Sequence, residues 1–193
     1  MTRLSTHPLP AGTKPARSGH AYAPATMEDP ATAVMTDLTS HRAVTVKPAE
    51  TLGSAERIMI SARVRLLLVV DTQGSVIGVV SYRDLVGQKA TAAAVREKVG
   101  HDSLPVSEVM TPLPEVEAVA LSEVKKAAVE DIVNFLHARG RQHTLVTETN
   151  EGGETVVRGI FSITEIGAHL GINVEAGERA QSFSEVEKLL AHK

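Results

Sequence analysis

Two short polar motifs carry residue types that could bind a ligand. Ser81 and Asp84 follow one Gly-apolar-apolar run, and Ser162 and Glu165 follow a second. A hydroxyl and a carboxylate three residues apart lie on the same side of the first turn of a helix. The carboxylate can accept hydrogen bonds from a sugar diol, and a helix end favours a nearby phosphate. This geometry suits a ribose, and Arg83 is a candidate for supplying positive charge to phosphates.

The same spacing also describes a helix capping box. In that motif the serine and the acid each bind a backbone N–H that has no partner within the helix, and the cap is worth about 1 kcal/mol. Both motifs are therefore open to two interpretations, capping or ribose binding. Glutamate at the fourth position is the better capping-box residue, so we predict that the two motifs differ and that the Asp84 site is the more competent one.

The residue patterns that metal sites and common catalytic sites require are absent from the sequence. The chain has no cysteine, so disulfides, thiolate metal sites and cysteine nucleophiles are excluded. The eight histidines fall at none of the usual metal spacings, and neither HExxH nor Gly-x-Ser-x-Gly occurs. The basic residues at Lys125-Lys126 and at 139–141 are interpreted as a solvated face, with contact to an anionic ligand or partner as the alternative. We expect no catalytic residue, no metal and no enzyme activity.

Composition limits the classes of partner. The 193 residues are 42% hydrophobic and 22% charged with a formal net charge of −3, so the positive charge of a dedicated nucleic-acid binder is missing. Nucleic acid is not expected as the main partner. The longest apolar run is residues 66–70, far short of the roughly 20 needed to span a bilayer. We expect no membrane association and a cytoplasmic location.

The chain repeats itself. Val34-Met35-Thr36 recurs as Val109-Met110-Thr111 at an offset of 75, and Leu68-Val69-Val70 recurs as Leu145-Val146-Thr147 at an offset of 77. The two Gly-apolar-apolar-Ser runs follow at an offset of 81. The order of these landmarks does not change, and the offset grows only where a connection can absorb residues. A duplicated unit explains this pattern.

Each copy predicts a strand, a helix, two strands joined by a hairpin, and a second helix. In the first copy these are strand 43–46, helix 51–62, strands 66–70 and 75–80, and a helix from Ser81. In the second they are strand 118–121, helix 128–138, strands 143–148 and 155–161, and a helix from Ser162. A lone unit of about sixty residues is marginally stable, so the two copies should pack against each other.

The chain contains a β-α-β-β-α unit twice. Each copy is introduced by Val-Met-Thr and closed by Gly-apolar-apolar-Ser-x-x-acid. This arrangement resembles the tandem cystathionine-β-synthase (CBS) domain pair, or Bateman module. Ser81-Tyr82-Arg83-Asp84-Leu85 is similar to the closing signature of that family. The resemblance covers about residues 31–172 and implies an α/β (α+β) fold of two units packed as a pseudo-twofold pair. No catalytic or transport domain accompanies the pair, which is expected to be a stand-alone module.

The resemblance also implies a ligand. Such pairs bind adenosine-containing ligands such as AMP, ADP, ATP or S-adenosylmethionine and commonly dimerise. By this resemblance Asp84 binds the ribose, Ser81 lies near the ribose or phosphate, and the adenine lies between apolar strand residues, with Val44 and Val46 as candidates. Ser162 and Glu165 are the corresponding residues of a second site, although the usual acid of the family at this place is Asp or Asn.

The predicted organisation is a flexible tail at 1–30, a first unit with a connecting helix at 31–100, a second unit at 101–172 and a tail or short helix at 173–193. The predicted function is a non-enzymatic homodimeric regulator that binds an adenine nucleotide or S-adenosylmethionine and signals to a partner protein. No catalytic cofactor is expected. The alternative is a scaffold that keeps the fold but binds no ligand and mediates only protein contacts.

Overall fold

The computed structural model describes residues 23–171, and the predicted helix at 178–192 lies outside this range. Eight strands and six helices alternate in chain order. They are β1 (Thr36–Asp37), β2 (Thr45–Val46), α1 (Leu52–Ala62), β3 (Leu66–Val70), β4 (Val76–Ser81), α2 (Tyr82–Val86), α3 (Gln88–Glu97), β5 (Thr111–Pro112), β6 (Ala118–Ala120), α4 (Leu121–Val124), α5 (Val129–Ala138), β7 (His143–Thr149), β8 (Thr155–Ser162) and α6 (Ile163–His169).

Two four-stranded sheets are built in the same way. One has the order β2-β3-β4-β5 and the other has the order β6-β7-β8-β1. In each sheet a parallel pair is followed by an antiparallel hairpin. β3 is buried along nearly its whole length because helices cover it, as its unbroken apolar run predicts. The predicted α/β fold of two similar units is confirmed.

The short strands β1 and β5 are exchanged between the two units. β5 precedes the second repeat but pairs with β4 of the first, and β1 precedes the first repeat but pairs with β8 of the second. The chain before each strand follows the same exchange. The core of the first sheet includes Leu104, Val106 and Val109, and the core of the second includes Ala31 and Val34. The two units therefore complete each other's cores.

Different polar contacts hold the two exchanged strands. On α3, Lys89 Nζ donates to the carbonyl oxygens of Val109 at 3.0 Å and Met110 at 3.1 Å, just before β5. On β1, Asp37 accepts from the hydroxyl and backbone N–H of Thr39 and from the guanidinium of Arg158. These contacts lower the pKa of Asp37 to about 2. Its carboxylate is therefore charged throughout the physiological range.

Glycine allows each exchanged strand to lie close to its new sheet. A Cβ on Gly78 would lie 2.5 Å from the backbone oxygen of Thr111, and a Cβ on Gly159 would lie 2.7 Å from the side-chain sulfur of Met35. The first obstacle is backbone and the second is the end of a flexible side chain. Packing therefore requires glycine at position 78 and favours it at position 159, independently of any ligand.

The domain boundaries predicted at residues 100 and 172 stay predictions, because the exchanged segments make the two units interlock.

Among residues 23–171, no helix has the length and apolar character of a membrane span. Within the same range, no group of three or more histidine, aspartate or glutamate side chains is placed to hold a metal ion.

Candidate ligand-binding cleft

A cavity of about 250 Å³ opens between the first sheet and the chain segment that enters β7 of the second. It contains three of the predicted site residues, Ser81, Arg83 and Asp84. The first unit, β5 and the segment after it, and the second unit all contribute to its wall. The other lining residues are Leu66, Val79, Thr111, Val116, Gly140, Arg141, Gln142 and His143. The cavity is therefore a cleft between the two units.

The Ser81–Asp84 motif forms a complete capping box at the start of α2. Asp84 Oδ2 accepts from the backbone N–H of Ser81 at 2.8 Å and from its hydroxyl at 2.6 Å, and the N–H of Asp84 approaches Ser81 Oγ at 3.3 Å. Both contacts to the carboxylate use Oδ2. Oδ1 has no hydrogen bond within the described residues, so capping fixes the carboxylate and leaves one oxygen for a ligand. The two interpretations of this motif are compatible.

Positive charge in the cleft comes from side chains of both units. α2 has only five residues, so its N-terminus contributes little to anion binding. Arg83 is exposed at the rim, and Arg141 enters from the second unit. Arg141 Nη2 lies 3.5 Å from Glu117 Oε2, which is also 3.5 Å from Nε of Arg139. Such exposed pairs are weak, so a ligand anion can compete for Arg141.

His143 stands at the first position of β7, on the cleft wall. Burial lowers the pKa of His143 to about 4, assisted by the positive charge of Arg65 and opposed by the carboxylate of Asp84. At neutral pH the ring is therefore uncharged and offers one hydrogen-bond donor and one acceptor.

The pseudo-equivalent motif in the second unit is engaged differently. Ser162 is buried and caps α6 with no side-chain hydrogen bond. Glu165 does not reach back to Ser162, and its Oε2 instead accepts from the hydroxyl of Thr36 on β1 at 2.6 Å. Here the acid binds the exchanged strand. The capping-box interpretation of Glu165 is therefore wrong, because the longer side chain extends past its own helix start.

The predicted adenine residues lie in a different environment. Val46 is 3% exposed and belongs to the core of the first sheet, where it pairs with Val69. Val44 packs against the same core, and its carbonyl accepts from the N–H of Leu68 at 3.1 Å. Neither side chain lines the cavity beside Asp84, whose apolar wall comes from Leu66, Val79 and Val116. A role for Val44 and Val46 with adenine stays a prediction.

Four polar residues of this cleft, Thr111, Arg141, Gln142 and His143, are not among the predicted site residues. The basic residues at 139–141 are interpreted from the sequence as a solvated face, with an anionic ligand or partner as the alternative, and the structure places Arg141 in the cavity lining, because the loop after α5 meets the other unit there. From the sequence alone, His143 is interpreted as a surface or capping residue and not as a metal ligand. The repeat offers a signal for it, since His143 aligns with Leu66 at the offset of 77 and is polar where the first copy is apolar. Only the packing of the units brings Arg141 and His143 near Asp84.

Comparison with known proteins finds similarity to one domain family. Residues 34–90 match the model of the CBS domain. A CBS-domain containing protein from Agrobacterium tumefaciens is similar in structure, with a TM-score of 0.54 and 21% identity over 74% of this chain and 94% of that one. An uncharacterized conserved protein from Pyrococcus horikoshii is also similar, with a TM-score of 0.52 and 20% identity over 74% and 92%. No curated protein matches the chain.

Proposed function

Because the chain contains a CBS domain and has the fold of CBS-domain pair proteins, we propose that it is a regulatory module whose Asp84 cleft binds an adenosine-containing ligand. The observation that carries this proposal is the Asp84 carboxylate. One of its oxygens is fixed by the capping box, and the other has no hydrogen bond within the described residues. A ribose diol is a matching donor pair for such a carboxylate.

The shape of the cleft supports a ligand of this class. Apolar Leu66, Val79 and Val116 offer a surface for a flat base, while Asp84 and the two arginines offer polar contacts. The lining combines three apolar side chains with seven polar residues, a mixture that suits a ligand with a flat base and several polar groups.

Signalling follows from where the cleft lies. A ligand between the two units contacts both, so it favours the arrangement of the pair in which both walls are in reach. A ligand can shift such an equilibrium only through different affinities for the two arrangements. We propose that a partner protein recognises the ligand-bound arrangement of the module.

Isothermal titration of the full chain with AMP and ATP tests the binding site. We expect Asp84→Ala to lose most of the binding, since it removes the one carboxylate that lines the cavity among residues 23–171. Glu165→Ala is the matched control, because it removes an acid at the equivalent position that is bound to Thr36. We expect Glu165→Ala to retain most of the wild-type affinity.

A thermal-shift screen of the wild-type chain with AMP, ADP, ATP and S-adenosylmethionine is the second test. A ligand at about 100 times its dissociation constant stabilises the folded protein by about 2.7 kcal/mol, which is a readily measured shift. If no ligand shifts the unfolding temperature, and if Asp84→Ala and Glu165→Ala give the same titration result, a scaffold that binds no ligand is favoured.

A further inference from the structure

We infer that His101, which lies outside the lining of the cavity, regulates the Asp84 cleft, because its protonated ring holds α2 in place more firmly than its neutral ring does. The affinity of the cleft for its ligand should therefore fall as the pH rises. This inference rests on the proposed function, because it takes Asp84 to contact the ligand. It adds a group that controls binding without contacting the ligand.

His101 links the connection between the two units to α2. Its Nε2 lies 2.7 Å from the carbonyl oxygen of Leu85, and its Nδ1 lies 3.1 Å from Oδ1 of Asp102. Leu85 is buried in the core of the first sheet, so the ring bonds to a well-packed part of the helix. His101 therefore ties the last turn of α2 to the segment that leads into the second unit.

Both contacts of His101 require a protonated ring. A carbonyl oxygen and an ionised carboxylate only accept hydrogen bonds, whereas a neutral imidazole has a single N–H. Only the imidazolium can donate to Leu85 and Asp102 at the same time. In agreement, the Asp102 carboxylate and then the Leu85 carbonyl raise the pKa of His101 above its ordinary value. The ring loses one of its two bonds when the pH rises through this pKa.

Charged groups on the neighbouring helices leave His101 to its two acceptors. On α1, Glu56 favours the protonated ring. Arg57 and Asp102 both approach Gly53, at 3.6 and 3.2 Å from the position that a Cβ would take. The charged side chains of α2 and α3 line the cavity or bond to other groups, and they are Arg83, Asp84, Lys89, Arg96 and Glu97. Acidic groups therefore have the larger influence on the ring.

α2 connects His101 to the cleft. The helix has only five residues, and it carries Arg83 and Asp84 on the cleft wall directly before Leu85. The segment that holds His101 continues to Thr111, which lies on the same wall. When the ring is neutral, α2 and this segment are held less firmly, so a ligand has to order them when it binds. This requirement lowers the affinity.

Isothermal titration of the full chain with AMP, and in parallel with S-adenosylmethionine, at pH 6 and pH 8.5 tests the inference. Between these pH values we expect the wild type to lose about threefold more affinity than His101→Gln, which is the size of one exposed ion pair. The amide of His101→Gln can donate to Leu85 at both pH values but carries no charge. Both ligands should show this difference, because His101 acts on α2.

NMR titration of the His101 ring gives a second readout. In the wild type we expect its midpoint above 6.5, since both acceptors favour the charged ring. Asp102→Asn removes the charge of one acceptor, so it should lower this midpoint. The pH at which the affinity for AMP falls should decrease together with the midpoint.

His41→Gln is the matched control. It also removes an exposed histidine, but the ring of His41 contacts a single acceptor, the carbonyl of Asp37 at 3.1 Å, which a neutral ring satisfies. We expect it to keep the pH dependence of the wild-type affinity. Thermal unfolding at each pH checks that every variant is folded.

Three results would overturn the inference, and each has a different meaning. If His101→Gln and the wild type lose affinity equally, His101 does not control the cleft, and the proposed function stands. If the His101 midpoint is 6.5 or lower, the ring does not make both bonds. If neither AMP nor S-adenosylmethionine binds at either pH, the proposed function is overturned together with the inference.

Discussion

The two closing motifs have the same spacing and nearly the same backbone, yet their acids do different things. Asp84 is short and bonds to the start of its own helix, so its second oxygen stays available in an open cleft. Glu165 is one methylene longer and bonds to Thr36 of the exchanged strand. The shorter acid stays at its own helix start, and the longer one reaches the exchanged strand.

The chain segments that lead into β3 and β7 also differ in their residue types. Beside Asp84 the second unit contributes Arg141 and His143, and the aligned residues of the first unit are Val64 and Leu66. Pseudo-symmetry of the fold therefore does not extend to the sites. Burial of sheet faces requires both copies to keep their apolar residues, whereas the residues before β3 and β7 can differ between the copies.

The largest expected difference between the two halves is in how they tolerate a methyl group on the motif glycine. Gly78→Ala places Cβ against the backbone oxygen of Thr111, which moves only if β5 moves, whereas Gly159→Ala meets the flexible side chain of Met35. We expect the first to lower the free energy of unfolding by about 3 kcal/mol and the second by about 1 kcal/mol.

Urea unfolding followed by circular dichroism measures both values, and each variant serves as the control for the other. Because β5 carries Thr111 on the cleft wall, Gly78→Ala should also weaken AMP binding, while Gly159→Ala should not. Equal destabilisation by the two substitutions would show that both exchanged strands shift equally easily, which would contradict the expected difference between the two units.

Much of this fold could be predicted from the sequence. The run at 66–70 coincides with β3, and the predicted helix at 51–62 corresponds to α1 within one residue, because apolar periodicity reports burial of an element directly. The duplication then fixed the same elements in the second copy. The exchange of β1 and β5 was not predicted. A two-residue strand is too short to show a period of apolar residues, and the strand that it pairs with is distant in sequence.

The candidate site was predictable only in part. Ser81, Arg83 and Asp84 form a local motif, and the structure brings them to one cleft. Arg141 and His143 reach that cleft through the packing of one unit on the other, which no local pattern encodes. The bond from Glu165 to Thr36 joins residues 129 apart in sequence. It depends on the strand exchange, so a prediction that lacks the exchange cannot contain it.

The pH dependence of the free energy of unfolding provides a second comparison, between His143 and the aligned Leu66. The pKa of His143 is lowered to about 4 from an ordinary value of 6.5. Between these values the unfolded chain binds a proton that the folded chain does not, so the free energy of unfolding falls as the pH drops from 6.5 towards 4, by at most about 1.4 kcal/mol per pH unit. We expect His143→Leu, which restores the residue type of Leu66, to remove this loss.

Urea unfolding at pH 7 and at pH 5 measures the effect. Between these two pH values, the free energy of unfolding of the wild type should fall by about 2 kcal/mol more than that of His143→Leu. His143→Gln is the control, because it also lacks a titratable ring but stays polar, and it should lose the pH dependence to the same extent. An unchanged pH dependence in His143→Leu would show that the ring is protonated as readily in the folded chain as in the unfolded one.

The smallest expected difference concerns the threonines of the exchanged strands. Thr36→Val removes the hydroxyl that donates to Glu165, so a partly buried carboxylate loses a partner and the free energy of unfolding should fall by about 1 kcal/mol. Thr111→Val is the matched substitution on β5, where the structure shows no such bond to Asp84, and we expect a change near zero. If both variants unfold at the same urea concentration, the Thr36–Glu165 bond contributes nothing, and Glu165 is as available to a ligand as Asp84.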